Sequence, residues 1–366
     1  MHEEKLYQLA LTLVPGLGDI LTKTLISYVG GAKAVFNHPV NKLNKIPGIG
    51  PNLARAIKNF DLTVAKDHLK KLEAKNVKLY FYTDKEYPNR LKQIYDAPAL
   101  LYFSGNLNLN HTRMLAIVGT RNASEHGKQF VRDFIKDLAG HNLVIVSGLA
   151  YGIDIEAHIA ALKYNIPTVG VIASGLDIIY PSIHAKYAKK MINNGGLVTE
   201  YPLETKLDPA RFPARNRIIA GMADATVVVE AAEKGGALIT ADLAAGYDRE
   251  VFAVPGRWND LYSVGCNKII NNNLAQSITS AEDLQYYMQW PAEDEKTEIK
   301  PTLIKDDFDD QEWVVINTIE NSDNEIHIDE LSWKSQIQIG KLATILLNLE
   351  FKGIVNSIPG KKYSLN

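Results

Sequence analysis

Short strings along the middle of the chain carry the residue types that hold anions. After the apolar run Leu115 to Val118 the chain turns through Gly119-Thr120-Arg121-Asn122-Ala123-Ser124, and the next run leads into Ser147-Gly148-Leu149-Ala150-Tyr151-Gly152-Ile153-Asp154. Glycines between a strand end and a helix start expose backbone N–H groups at the positive end of the helix dipole, and Arg121 adds a forked phosphate donor. The two turns, with Asp154 as N-cap of the second helix, therefore predict a phosphate cradle. Further on, Phe212-Pro213-Ala214-Arg215-Asn216-Arg217 sets a ring beside two guanidinium groups just ahead of an apolar helical stretch. A ring that stacks on a base and forks that hold phosphate are the chemistry of single-strand binding. The competing reading buries Phe212 and pairs one arginine with Glu200 or Glu230. A further glycine-rich turn, Lys234-Gly235-Gly236-Ala237-Leu238-Ile239-Thr240, follows Glu230, and Pro255-Gly256 and Gly265-Cys266-Asn267 supply later polar turns.

Other chemistries lack their usual residues. No Gly-x-Gly-x-x-Gly follows the first strand and no Gly-x-x-x-x-Gly-Lys-Ser/Thr occurs, so neither a dinucleotide nor ATP is expected, and no cofactor is assigned. There is no His-Glu-x-x-His and no Gly-x-Ser-x-Gly, so no catalytic or metal residue is assigned either. Asp154 and His158 share a helix face at i, i+4, which reads as a cap plus a packing histidine rather than half a metal or acid–base site. Cys266 is the single cysteine, too few for an intrachain disulfide or a cysteine-rich zinc site.

The elements that must position these strings follow from periodicity. Apolar runs at Leu79 to Tyr82, Leu100 to Phe103, Leu115 to Val118, Leu143 to Val146, Val169 to Ala173, Thr226 to Val229 and Val251 to Val254 are strand-length and end in Gly, Ser or Pro. Helix-length segments such as Glu125 to Gly140 and Asp154 to Asn165 lie between them, which predicts an α/β domain over 76–290 with a doubly wound, mostly parallel sheet. Residues 1–75 are helical in pattern and repeat one punctuation, Val14-Pro15-Gly16-Leu17-Gly18 and Ile46-Pro47-Gly48-Ile49-Gly50, the mark of a helix-hairpin-helix (SAM-like) domain. Such turns either aim N–H groups at a DNA phosphate, with Lys45, Arg55 and Lys58 at hand, or serve as packing modules.

Residues 291–312 hold nine acids against three lysines and read as a solvated linker. Residues 313–366 predict three helices closed by a hairpin around Pro359-Gly360, the winged-helix arrangement. Lys plus Arg number 40 against 42 Asp plus Glu, so any polyanion site must be local. The acidic start Met1-His2-Glu3-Glu4 and the lack of an apolar run of about eighteen residues lead to the expectation of a soluble, cytoplasmic protein with no membrane partner.

Taken in order, the strings resemble the DNA processing protein A (DprA/Smf) family, single-stranded-DNA binding proteins of natural transformation. The resemblance rests on Val118-Gly119-Thr120-Arg121, Ser147 to Asp154 with Ala157-His158, Tyr180-Pro181, Thr199-Glu200-Tyr201-Pro202, Phe212 to Gly221, Ala237-Leu238-Ile239-Thr240 and Val254-Pro255-Gly256. It implies a Rossmann-like core that forms a homodimer and binds single-stranded DNA without ATP. It also implies a protein that helps load a RecA-type recombinase during DNA uptake and recombination, countering single-strand-binding protein. No catalytic residue comes with it. The DNA contacts it implies are Gly119, Arg121, Ser147, Gly148, Phe212, Arg215, Asn216 and Arg217. The sequence departs from the family at Lys234-Gly235-Gly236-Ala237, where Ser-Gly-Ser is usual, and at Asn273-Leu274-Ala275, where Gly-Ala is usual.

Two other classes remain as alternatives. A nucleotide N-glycosidase of a related Rossmann-like class would need a Pro-Gly-Gly-x-Gly-Thr-x-x-Glu string, and the turn from Gly235 to Thr240 lacks it. A winged-helix regulator would read duplex DNA through Lys334, Lys341 and Lys362, but its third helix, Gly340 to Leu349, lacks the Arg and Asn-rich face that reads base edges.

Overall fold

The apolar runs pair because each is buried on both faces, which favours a parallel sheet covered by helices on either side. The computed structural model describes residues 2–290, 305–322, 325–358 and 360–365. Its larger sheet comprises β1 (Lys78–Phe81), β2 (Leu100–Gly105), β3 (Met114–Val118), β4 (Val144–Gly148), β5 (Thr168–Val171), β6 (Gly195–Thr199), β7 (Ala225–Val228), β8 (Glu250–Ala253) and β9 (Gln276–Ser277). The spatial order is β1-β2-β6-β5-β4-β3-β7-β8-β9. The strands from β6 to β9 run parallel, while β2 is antiparallel to β6 and β1 to β2. From β3 the chain steps outward to β4, β5 and β6, then returns to lay β7 on the other side of β3. That reversal leaves a crevice beyond the carboxyl ends of β3 and β7, where open α/β sheets bind ligands.

Six helices precede the sheet: α1 (His2–Leu13), α2 (Asp19–Val29), α3 (Ala32–Asn37), α4 (Val40–Leu43), α5 (Pro51–Lys58) and α6 (Leu62–Ala74). Within the sheet domain come α7 (Asn89–Lys92), α8 (Glu125–Asp137), α9 (Ile153–Lys163), α10 (Ala185–Asn193), α11 (Arg211–Met222), α12 (Gly236–Gly246), α13 (Val264–Asn271) and α14 (Ala281–Met288). Alternation along β3 divides the core. Met114, Ala116 and Val118 pack with Ile218 of α11, Ala241 of α12 and Cys266 of α13, whereas Leu115 and Ile117 pack with Phe134 of α8, Ala157 of α9 and Leu284 of α14. The sheet is thus doubly wound and Rossmann-like.

The N-terminal helices pack on Phe81, Leu100 and Tyr102 at the antiparallel edge of the same sheet. Polar contacts fix the docking: Asp19 Oδ1 accepts from the Ala99 N–H at 2.8 Å, and the Lys23 ammonium donates to the Ala97 carbonyl at 2.5 Å.

The last unit, 300–366, builds its own core. Helices α15 (Asp310–Glu320), α16 (Ile328–Ser335) and α17 (Ile339–Phe351) pack Ile316, Leu331 and Leu346 against one another. A three-stranded sheet of β10 (Glu325–His327), β12 (Lys362–Leu365) and β11 (Val355–Ile358), in that order, completes a winged helix. Asp309, Asp310 and Glu312, which read as linker in the sequence, belong to α15 and its cap. Asp309 and Glu312 form a capping box, and the buried Glu312 pairs with Lys352 at 2.6 Å. Lys305–Asp307 form a short 3-10 turn ahead of them, and the remainder of the acidic stretch, 291–304, and the hairpin residue Pro359 lie outside the described residues.

Strand β6 escapes the sequence reading because it opens on Gly195-Gly196, which looks like a turn. Gly195 has φ 133°, and a Cβ there would run into the Thr168 carbonyl. A Cβ on Gly196 would meet the Phe103 ring of β2. The pair lets parallel β5 and antiparallel β2 close on β6 from both sides. Replacing Gly195 by Ala is therefore expected to destabilise the sheet domain by about 3 kcal/mol, through a disallowed φ and overpacking. A urea midpoint unchanged in Gly195→Ala would show that β6 does not depend on the glycine.

Candidate nucleic-acid interface

A groove of 1160 Å³ occupies the crevice at the carboxyl ends of β3 and β7. Its walls are the β3–α8 turn with Gly119, Thr120 and Arg121, helix α11, and the β7–α12 segment from Ala231 to Thr240. Helix α11 begins at Arg211, so both arginines of the Phe-x-x-Arg-x-Arg string lie inside it and not ahead of it. Phe212, Arg215, Asn216 and Ile219 then fall at i, i+3, i+4 and i+7, one face of the helix, and all four line the groove.

At the mouth, the exposed Arg121 guanidinium lies 5.5 Å from the centre of the Phe212 ring, and the Tyr180 ring lies 5.9 Å from it on a tilted plane. These are the cation and the aromatic surfaces that a flat, negatively flanked base would meet. Arg215 is only 5% exposed. Its Nη1 donates to the Val171 carbonyl and its Nε to Asn216 Oδ1 at 3.3 Å. The Arg215 guanidinium and the Asp154 carboxylate converge on Gly148: both would lie within 2.6 Å of a Cβ there, so only glycine admits them. Burial pushes the Asp154 carboxyl up to about 6, against the pull of Arg215, the Ala150 N–H and Arg121. Burial also lowers Arg215 to about 10, which leaves the guanidinium charged at neutral pH.

The remaining expected contacts sit elsewhere. The Ser147 hydroxyl is fully buried and donates to the Ile117 carbonyl at 2.6 Å, tying β4 to β3. Gly148 backs Arg215 without lining the groove. Arg217 points to the N-terminal helices, pairing with Glu200 at 2.5 Å and Asp19 at 3.4 Å and donating to the Asp96 carbonyl at 2.7 Å. The reading that paired one arginine with Glu200 thus applies to Arg217. Asn216 lines the groove and also donates to the Gly236 carbonyl at 3.2 Å, fixing the start of α12.

The phosphate cradle differs from the sequence expectation. The N-terminus of α8 is already filled: the Ser124 N–H donates to Glu230 Oε2 at 2.9 Å, the Ser124 hydroxyl donates to Oε1, and the Gly127 N–H donates to the Ser124 oxygen at 3.0 Å. The Thr120 N–H donates to the Glu230 carbonyl at 2.7 Å, so Glu230 holds the turn that carries Arg121. Nothing in the sequence singles out Glu230 for this, because it lies 106 residues from Ser124. Asp154 does not cap α9; Gly152 does, and Asp154 turns inward to Arg215. His158 is a packing residue, its Nε2 donating to the Gly148 carbonyl at 3.0 Å and its Nδ1 2.7 Å from the Thr168 hydroxyl, with its pKa lowered by burial to about 4. The open start is that of α12, where Gly235 makes no side-chain cap and Lys234, Gly235 and Gly236 are exposed on the groove wall. Among the described residues no group of three His, Cys, Asp or Glu side chains is placed to hold a metal ion.

Comparison with known proteins agrees with this architecture. Residues 78–289 match the model of the DNA recombination-mediator protein A family, and residues 304–361 match that of the DprA winged helix domain. The chain is 45% identical over 203 residues to the DNA processing protein DprA of Bacillus subtilis, covering 55% of this chain and 68% of that protein. The crystal structure of DprA from Streptococcus pneumoniae superposes with a TM-score of 0.69 at 33% identity, over 78% of this chain and 98% of that one. A structure of DprA from Helicobacter pylori, described for its single-stranded DNA binding mode, superposes with a TM-score of 0.53 at 28% identity, over 58% of this chain and 95% of that one. With its strand-end groove, its arginine-over-phenylalanine mouth and its winged helix, the chain belongs to the DNA recombination-mediator protein A family.

Proposed function

We propose that the groove binds single-stranded DNA without ATP, and that the protein works in the cytoplasm as a homodimer joined through its Rossmann-like domain, loading a RecA-type recombinase on incoming strands against single-strand-binding protein. The observation that carries the DNA reading is the pairing of Arg121 with the Phe212 ring at the mouth of a groove whose base holds the charged Arg215. A duplex hides its base faces, whereas a single strand offers them to Phe212 and Tyr180 while its phosphates meet Arg121 and the open start of α12. The H. pylori relative's single-strand binding mode and the family's name as a recombination mediator support the same reading.

Neither alternative gains from the geometry. Glu230 is spent on capping α8 and Asp154 is buried against Arg215, while the groove's other carboxylates, Glu233 and Asp242, are exposed on its wall, Glu233 3.9 Å from Lys268. The 300–366 unit holds seven lysines and no arginine against eleven acids, a poor balance for gripping duplex phosphates.

Gel-shift titration of the full chain is expected to show tighter binding of single-stranded than of matched duplex oligonucleotides, with affinity falling steeply as salt rises. Equal affinity for both forms would remove the reading. Arg121→Ala should weaken binding across sequences and reduce the salt slope by about one, whereas Phe212→Ala should weaken it about tenfold with the slope unchanged. Recombinase loading is tested by strand exchange on DNA coated with single-strand-binding protein, where failure to relieve the block would eliminate that step.

The buried carboxyl adds a pH signature. Protonating Asp154, whose pKa stands near 6, leaves the charge of Arg215 uncompensated beneath the bound phosphates. Affinity should therefore rise as pH falls from 7.5 to 5.5, and the change should disappear in Asp154→Asn. Because the folded-state pKa is raised, the same protonation favours the fold, and this stabilisation is lost as pH rises through about 6. A pH profile identical in Asp154→Asn and the parent chain would rule out the coupling.

A further inference from the structure

Outside the groove, the carboxyl edge of the sheet holds one large aromatic side chain with almost no packing of its own. Trp258 is 87% exposed in the loop between β8 and α13, and Leu261 in the same loop is 65% exposed. An indole left in water forgoes one of the largest burial gains available to a side chain, and its exposed face is free to stack.

The loop is held at both ends. The Gly256 N–H donates to Asn267 Oδ1 at 3.2 Å and the Gly256 carbonyl accepts from Asn267 Nδ2 at 3.0 Å. At the far end the Ala231 N–H donates to the Tyr262 carbonyl at 2.7 Å, and the Gly265 N–H donates to the Ala231 carbonyl at 2.9 Å. Ala231 is a wall residue of the groove, as are Lys268 and Ile269 of α13. The base of the Trp258 loop is therefore the wall of the groove itself.

Position and charge favour a nucleotide as the occupant. Strand β8 lies beside β7 with Ala253 opposite Val228, one strand spacing of about 4.8 Å away. A polynucleotide leaving the groove across the β7–α12 turn thus comes next to the loop after β8. Arg257 adjoins Trp258, and Lys234 and Lys268 stand on the wall between. Of the nearby carboxylates, Glu233 lies 3.9 Å from Lys268, Asp260 is turned into its own loop, accepting from the Tyr262 N–H at 3.1 Å, and Asp242 is exposed on the same wall.

We propose that Trp258 is a second base-stacking platform, which takes nucleotides of a single strand that runs beyond the groove over the end of β8. The proposal rests on the single-strand reading of the groove and extends it by a second contact point. Stacking on an indole face is tolerant of sequence, so the platform would lengthen the footprint without adding base preference.

The test uses the full chain with oligothymidines of about 6 and about 20 nucleotides, the shorter filling the groove and the longer reaching past it. Trp258→Ala is expected to bind the longer strand about tenfold more weakly and the shorter one unchanged, while Trp258→Phe retains most of the affinity. Binding of the longer strand should quench tryptophan emission more in the parent chain than in Trp258→Phe. Unchanged affinity of Trp258→Ala for the longer strand overturns the proposal, and a simultaneous shift of its sedimentation toward a smaller species assigns Trp258 and Leu261 to a contact with a second copy. Equal loss on both lengths also overturns it, by placing Trp258 within the primary site. If the parent chain binds neither strand, the reading of the groove itself fails, a result distinct from all of these.

Discussion

Arg215 carries a charge that the fold does not release, because a guanidinium stays protonated in a protein, and it carries that charge almost wholly out of water. A guanidinium buried this deeply needs hydrogen-bond acceptors within the protein to offset the loss of water. Its partners come from separate parts of the chain: the Val171 carbonyl at the end of β5, Asp154 in the first turn of α9, and Asn216 beside it on α11. They reach it only because Gly148, at the end of β4, has no side chain to stand in the way. One buried cation thus fixes the relative placement of two strand ends and two helices, and the floor of the groove follows from it. Burial raises the pKa of Asp154 even against the pull of Arg215.

A second constraint is that the chain fills one of its own anion sites. Glu230 crosses from the end of β7 to the start of α8, while at the start of α9 the Ile153 N–H donates to the Thr120 carbonyl at 3.2 Å. The Glu230 carboxylate removes the N–H cradle that the first glycine-rich turn would otherwise offer, and its backbone carbonyl in return holds the Arg121 turn in place. What is left for an external anion is cationic side chain at the mouth and the uncapped start of α12. A site built this way suits a flexible polyanion that can meet separate charges in succession better than a compact phosphate that needs a closed ring of N–H donors.

Much of this was legible in the sequence, and the failures have definite causes. The seven apolar runs are strands because continuous hydrophobicity is what two-sided burial demands, and glycine-rich turns at the ends of two of them line the groove. Strand β6 was hidden by Gly195-Gly196, whose role is set by neighbours from distant segments. The site residues divide by helical phase. Placing α11 after Arg217 treats both arginines as loop residues aimed at one ligand, whereas starting it at Arg211 turns Arg217 about 200° from Arg215. The period alone could have separated them. Glu230 and Asp154 are of another kind, since their roles depend on contacts across the sheet that no local pattern encodes.

Helix α11 consequently has two working faces. Phe212, Arg215, Asn216 and Ile219 face the groove, while Arg217 reaches Asp19 at the start of α2 and Glu200 just past β6. Asp19 follows the first of the two repeated turns, and it also accepts the Ala99 N–H, so that turn is used to seat the N-terminal helices on the sheet. The second turn has the same backbone, with φ 81° at Gly48 as at Gly16, yet the carboxylate that follows the first has no counterpart there, where Pro51 stands in place of Asp19. The internal repeat has therefore diverged at the residue whose carboxylate reaches the sheet and α11 from the first turn. Because the seated turn grips the back of α11, anything that strains the docking of the N-terminal helices bears on the helix that carries Phe212 and Arg215. The helical segment is in that sense a brace for the groove, whatever its second turn contacts.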